Sequence, residues 1–114
     1  MKRGEIWTLA GGKDYAGKPR PVVILRDDRF DATASVTVCA FTTNTTDAPL
    51  FRLAVEPGET NGLRISSRLM VDKITTVSRA EIGTHVGRLE DQDMLQLNRA
   101  VLVFLGIAVA TVRG

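Results

Sequence analysis

An arginine set between two prolines is the residue in this chain best placed to do chemistry. Lys18-Pro19-Arg20-Pro21 leads straight into the aliphatic run Val22-Val23-Ile24-Leu25. Proline restricts its own φ and pushes the residue before it out of the helical region. Arg20 is therefore expected to stand extended at a strand entrance, with its guanidinium fixed there. Such a group presents five donors in a planar fork that matches the oxygens of a phosphate. The other polar strand end is Thr42, followed by Thr43 and Asn44; its hydroxyl can add a donor to the same oxygens. Consecutive strands are neighbours more often than not, so Arg20 and Thr42 together can hold a phosphodiester. Residue types alone leave a plainer reading open, in which Arg20 pairs with Asp27, Asp28 or Asp72 and Thr42 is only a β former.

The rest of the catalytic inventory is thin. His85 is the only histidine and Cys39 the only cysteine, so one chain cannot assemble a paired-histidine acid and base, an internal disulfide or a zinc site built from several cysteines. His85 falls in a predicted strand beside Ile82 and Val86, where a structural role is expected. No GxSxG elbow, GxGxxG fingerprint or Walker loop occurs, which removes the hydrolases and nucleotide enzymes that depend on them. The glycine-rich stretch 10–17 leads into a strand, so it lacks the helix dipole of a phosphate loop. Glu90, Asp91 and Asp93 resemble a metal cluster, yet their place at a helix start explains them without metal. Lys13, Lys18, Arg26, Arg68 and Lys73 are available to surround an anion site.

Several short strands and one helix must position these groups. Residues 5–9, 21–25 and 35–42 read as the first three strands, the second apolar on both faces and therefore central. Residues 10–18 and 43–49 read as loops. A strand over 50–55 stops at Glu56-Pro57-Gly58, and Asn61-Gly62 turns the chain so that 63–74 pairs back as a hairpin. Ser78 is suited to cap a short helical turn, and 84–89 is extended again. From Asp91 to Leu105, apolar Met94, Leu97, Val101 and Leu105 recur at helical spacing, and Leu95, Leu102 and Phe104 widen the stripe. Gly106 is the expected stop. The pattern predicts a mainly β fold with a C-terminal helix: a small antiparallel barrel or curled sheet closed by that helix. Residues 1–108 form one domain, and 109–114 are read as a loose tail.

A chain of 114 residues buries a modest core, and a partner subunit would help it. Its formal net charge of +2 favours nucleic acid only weakly, so placement of charge matters more than its total. The start, Met1-Lys2-Arg3-Gly4-Glu5-Ile6-Trp7, does not read as a signal peptide. The apolar stretch 100–110 falls short of the roughly 20 residues of a membrane span. A cytoplasmic protein with no membrane association is expected.

The order and spacing of Lys2-Arg3-Gly4-Glu5-Ile6-Trp7, Arg20-Pro21-Val22-Val23-Ile24, Phe41-Thr42-Thr43, Asn61-Gly62-Leu63, Ser67 and Asp72-Lys73-Ile74 resemble the MazF/PemK family of toxin endoribonucleases from residue 2 to about residue 106. The resemblance implies an SH3-like barrel with an added helix, acting as a homodimer. It implies cleavage of single-stranded RNA at short sequences, without metal or other cofactor, leaving a 2′,3′-cyclic phosphate and a 5′-hydroxyl. It assigns catalysis to Arg20 and Thr42, and places Ser67, Asp72 and Lys73 along the RNA groove. Lys18, Thr43, Asn44 and the loop residues Asp14 and Tyr15 complete the expected RNA contacts, with Asp14 displaced by one position from the acid common in that loop and Tyr15 a candidate to stack on a base. An acidic, partly disordered antitoxin is the implied protein partner. Two rival readings of the same fold are a gyrase poison that needs no Arg20 and Thr42 pair, and a noncatalytic RNA binder.

Overall fold

A computed structural model describes residues 1–10, 18–44 and 47–109. Asp14 and Tyr15 lie outside the described residues, as does the tail from residue 110 onward. Among the described residues seven strands run in the order β1 (Glu5–Leu9), β2 (Arg20–Ile24), β3 (Ser35–Thr42), β4 (Arg52–Val55), β5 (Ser67–Met70), β6 (Thr75–Ser78) and β7 (Ile82–Arg88), followed by the helix α1 (Asp91–Phe104). Neighbouring strands follow the path β4-β5-β3-β2-β1-β7, with β6 also paired to β3. Every pairing among the described strands is antiparallel.

Period-2 alternation explains why β2 is apolar from Pro21 to Ile24, after Arg20. Val23 points into one buried cluster with Ile6, Cys39, Phe41 and Leu69, against which Leu97 and Ala100 of α1 pack. Val22 and Ile24 point the other way, into a second cluster with Val36 and Val38 that Trp7, Leu9 and Ile82 partly cover. A strand buried on both faces must be apolar at every position. The expected central strand is thus central, between β1 and β3.

The segment expected to pair back over 63–74 is shorter and interrupted. Only Ser67–Met70 pairs with β4, and a single 3-10 turn over Val71–Lys73 separates β5 from β6. Both pieces lie antiparallel to β3: Phe41 faces Leu69, and Val38 faces Thr75. Three steps along β3 therefore match six along its partner, and the turn absorbs the excess. Apolar content misplaced the strand start, because 56–66 is organised by a polar side chain. Asn61 is almost fully buried; its Oδ1 accepts from the backbone N–H of Gly58 at 3.0 Å and of Leu63 at 2.9 Å, and its Nδ2 donates to the Glu56 carbonyl at 2.8 Å.

That loop also fills the space between the sheet's ends. The strand path is not closed by a ladder from β7 to β4, but Gly62 lies so close to β7 that a Cβ there would stand 2.5 Å from the Val86 carbonyl oxygen. Gly62 also has φ +70, a conformation that disfavours any larger residue. The fold is a curled, barrel-like sheet with one open end.

Ser78 caps the expected short turn, its Oγ accepting from the Ala80 N–H at 3.3 Å. The helix runs where periodicity places it, and Gly106, at φ +76, follows its end. The apolar stripe is only partly used. Leu97 and Ala100 are buried, whereas Leu95, Leu102, Phe104 and Leu105 are exposed. Leu105, expected on the packed face, falls just past the last helical turn, beyond the sheet that buries Leu97. Arg3 ties the chain start to this helix, donating to the Leu25 carbonyl at 2.7 Å and the Asn98 side chain at 2.8 Å.

Candidate active site

Arg20 opens β2 and Thr42 closes β3, which brings both to one end of the sheet. The β2-β3 register pairs Val22 with Ala40, so two residues further along each strand Arg20 comes opposite Thr42. Prolines on either side of Arg20 leave it extended, and Leu9 of β1 is its cross-strand partner. Thr42 is oriented locally: its Oγ1 accepts the backbone N–H of Asn44 at 3.1 Å. With that lone pair engaged, the hydroxyl proton remains available to donate outward.

These residues line a cleft of about 950 Å³ at the open end of the curled sheet. Lys18, Arg20, Thr42, Thr43 and Ser67 all contribute to its wall, as do Thr8, Phe41, Leu63, Arg64 and Ile65. Ser67 opens β5 almost fully buried, its hydroxyl donating to the Ile65 carbonyl at 3.1 Å. The charge of the described lining is one-sided: Lys18, Arg20 and Arg64 are cationic, and no carboxylate or imidazole stands among them. A near-neutral chain has thus gathered cations at one strand end, an arrangement that attracts an anion.

Other candidates are not brought to the cleft. Asp72 is held by a two-pronged ion pair with Arg52, at 2.7 and 3.0 Å. Hydrogen bonds from that guanidinium hold its carboxyl below the usual aspartate range, against a smaller opposing effect of burial. Asp72 and its neighbour Lys73 sit in the 3-10 turn between β5 and β6, away from the lining. Asn44 acts on the cleft through the backbone, by orienting Thr42.

His85 lies on β7 with its ring centroid 5.1 Å from that of Trp7 and its Nε2 3.7 Å from a Glu5 oxygen. That is a cluster outside the cleft, so its structural reading fits its surroundings. Burial is the largest single influence on Glu5 and raises its pKa, but the Lys2 N–H, the Trp7 indole and His85 together bring it below the ordinary value. Cys39 is equally remote from chemistry. Burial, with a smaller effect of Asp72, pushes its thiol up to about 12, leaving negligible thiolate at neutral pH.

Sequence reasoning misses Arg64 and Ile65, because the apolar content of 63–74 reads as a regular strand. The available signal was local: a cation and an isolated aliphatic residue follow Asn61-Gly62 and precede two serines.

A barrel-like antiparallel sheet with one C-terminal helix thus carries a cleft whose described charged groups are all cationic. The family model described as PemK-like, MazF-like toxin of type II toxin-antitoxin system matches residues 2–105. A protein named probable endoribonuclease MazF, from Mycolicibacterium smegmatis, is 58% identical over 108 residues, covering 95% of this chain and 99% of that one. Endoribonuclease MazF9 of Mycobacterium tuberculosis is 27% identical, over 94% and 98% of the two chains. Among solved structures, an endoribonuclease in complex with its cognate antitoxin from a mycobacterial species has a TM-score of 0.76 at 23% identity, covering 96% of this chain and 99% of that one; at that identity it speaks to the fold. The chain belongs to the PemK-like, MazF-like toxins of type II toxin-antitoxin systems and is a toxin endoribonuclease of the MazF type.

Proposed function

We propose that the cleft cuts single-stranded RNA by promoting attack of a ribose 2′-oxygen on its own phosphate, with Arg20 and Thr42 as the catalytic residues. The observation that carries this reading is the placement of both groups at one end of adjacent strands, in a cleft whose described charged groups are all cationic. Negative charge accumulates on the non-bridging oxygens as the 2′-oxygen attacks. The Arg20 guanidinium and the Thr42 hydroxyl donate to those oxygens, and donors aimed at developing charge lower the barrier. The 2′-O–P bond forms as the bond to the 5′-oxygen breaks, and the departing 5′-oxygen takes a proton from water, leaving a 2′,3′-cyclic phosphate and a 5′-hydroxyl. No metal takes part in this scheme.

Arg20 is not the proton acceptor, because a guanidinium stays protonated to a pH above about 12. The described lining offers no carboxylate or imidazole for the task. Water or Asp14, the latter outside the described residues, takes the 2′ proton. Lys18 and Thr43 contact the flanking backbone, and Ser67 shapes the cleft floor. The positions of Asp72 and Lys73 suit a longer RNA path, reaching past the cleft along β5.

The functional unit we infer is a homodimer, supported by the apolar side chains that α1 leaves exposed. One toxin domain spans residues 1–108, and a cognate antitoxin with an acidic segment neutralises the cationic cleft. Among the described residues no helix is long and apolar enough to cross a membrane, which accords with work on RNA in the cytoplasm. The test is cleavage of a long unstructured RNA in EDTA, with Arg20→Ala in parallel. Wild type should cut and Arg20→Ala should be nearly inactive. Cleavage that requires added metal, or that survives Arg20→Ala, refutes this mechanism.

A further inference from the structure

Residues 63–65 form the cleft wall supplied by the loop between β4 and β5, and nothing in the mechanism above uses them. Their position is unusually well fixed for a loop. Asn61 spends its buried amide on the backbone of residues 56, 58 and 63. Gly62 then passes within contact of the Val86 carbonyl, and Gly87 is pressed against the same loop, where a Cβ would meet the Asn61 carbonyl oxygen at 2.5 Å. The Arg88 N–H donates to the Thr60 carbonyl at 3.0 Å. Ser67 completes the hold from the other side by donating to the Ile65 carbonyl.

The side chains presented by this braced segment have no structural task of their own. Ile65 is 58% exposed although it lines the cleft. Arg64 is exposed, lines the same cleft and makes no ion pair with any described residue. An aliphatic surface and a cation side by side, held rigid opposite a phosphate-binding pair, match the two chemically distinct parts of one nucleotide. An apolar face supports a base, and a guanidinium holds a phosphate.

We propose that Arg64 and Ile65 form a nucleotide subsite of the RNA cleft, in which Ile65 supports the face of one base beside the cut and Arg64 holds the phosphate of that nucleotide. This rests on the reading of the cleft as the RNA-cutting site. Because the wall is built before RNA arrives, the subsite reads base size and shape at one position instead of closing around any base.

The experiment compares wild type, Arg64→Ala, Arg64→Lys, Ile65→Ser and Arg20→Ala on a long unstructured RNA of mixed sequence, with cut ends sequenced, kcat/KM measured at several salt concentrations and thermal melts run alongside. Arg64→Ala should lower kcat/KM and flatten the slope of log kcat/KM against log salt by about 0.7, the value of one lost contact to a single strand. Arg64→Lys should keep the wild-type slope. Ile65→Ser should lower kcat/KM about tenfold and relax base preference at one position relative to the cut. Both side chains are exposed, so the melts should not move. Unchanged salt slope in Arg64→Ala, or a uniform loss in Ile65→Ser with base preference intact, overturns the inference. Arg20→Ala separates the two levels: if it is inactive while the Arg64 and Ile65 variants behave as wild type, only the subsite fails; if it is fully active, the site reading beneath it fails as well.

Discussion

Replacing Thr42 by valine removes one hydroxyl and keeps the shape of the side chain, which isolates the chemistry assigned to it. In the free protein that oxygen has one described hydrogen bond, accepted from the N–H of Asn44 at 3.1 Å. Asn44 is exposed, so water replaces the lost acceptor and the structural loss should stay at about 1 kcal/mol or below. Valine also suits a strand end as well as threonine does. The catalytic loss should be far larger, because the hydroxyl proton meets charge that exists fully only as the 2′-oxygen attacks. Removing one such donor costs about 2.7 to 4 kcal/mol, or about 100- to 1000-fold in kcat. Thr42→Ser retains the donor and should stay within about tenfold of wild type, the remaining loss reflecting a freer rotamer. The assay is single-turnover cleavage of an unstructured RNA by wild type, Thr42→Ser and Thr42→Val, with a thermal melt of each. A Thr42→Val enzyme within about threefold of wild type, well short of the loss expected for a transition-state donor, would refute the role given to this hydroxyl. So would a serine variant as impaired as the valine one.

Gly62→Ala should destabilise the fold by at least roughly 2 kcal/mol, since a left-handed alanine alone costs about 1 to 2 and its Cβ would also meet the Val86 carbonyl oxygen at 2.5 Å; an unchanged denaturant midpoint would contradict the braced loop. The Arg52-Asp72 pair predicts a pH dependence. Because Asp72 titrates lower in the folded chain than in the unfolded one, its stabilising contribution is fully present above the unfolded value of about 3.9 and is lost as pH falls through the folded value. The stability gap between wild type and Asp72→Asn should therefore narrow below about pH 4, and a gap that stays constant down to about pH 2 would remove Asp72 as its source. Light scattering of the purified protein should give twice the chain mass, and a monomeric mass would remove the homodimer.

Local rules reached most of the fold. The proline pair, the alternation in β3 and the helical spacing from Met94 to Val101 are nearest-neighbour patterns, and the strands and helix they mark stand where those patterns put them. The stretch 63–74 was legible only in part. Its apolar residues suggest one continuous strand, but a buried amide holds 56–66 as a loop and a 3-10 turn divides what remains. Asn61 reads as half of a turn dipeptide in sequence; its three hydrogen bonds go to backbone groups only two to five residues away, and what residue type does not show is that its side chain is buried where it can make all three. The stripe on α1 likewise marks the helix but does not tell which of its apolar residues the sheet reaches.

Of the candidate site, proline stiffness and strand-end position, both local properties, marked Arg20 and Thr42 as candidates, while residue types alone left a plainer reading open and only the family resemblance assigned them to catalysis. Their convergence was decided by the tertiary structure, through a β2-β3 register that brings the two strand ends together. The β3-β5 register, which pairs Thr42 with Arg68, carried the neighbouring Ser67 to the cleft, whereas Asp72, past the end of β5, is paired with Arg52. The loop held by the Asn61 amide and packed on β7 brought Arg64 and Ile65 to the cleft wall. Residue type can mark a group as able to bind phosphate, but only the curl of the sheet, which sets distances between residues remote in sequence, selects the groups that meet at one place.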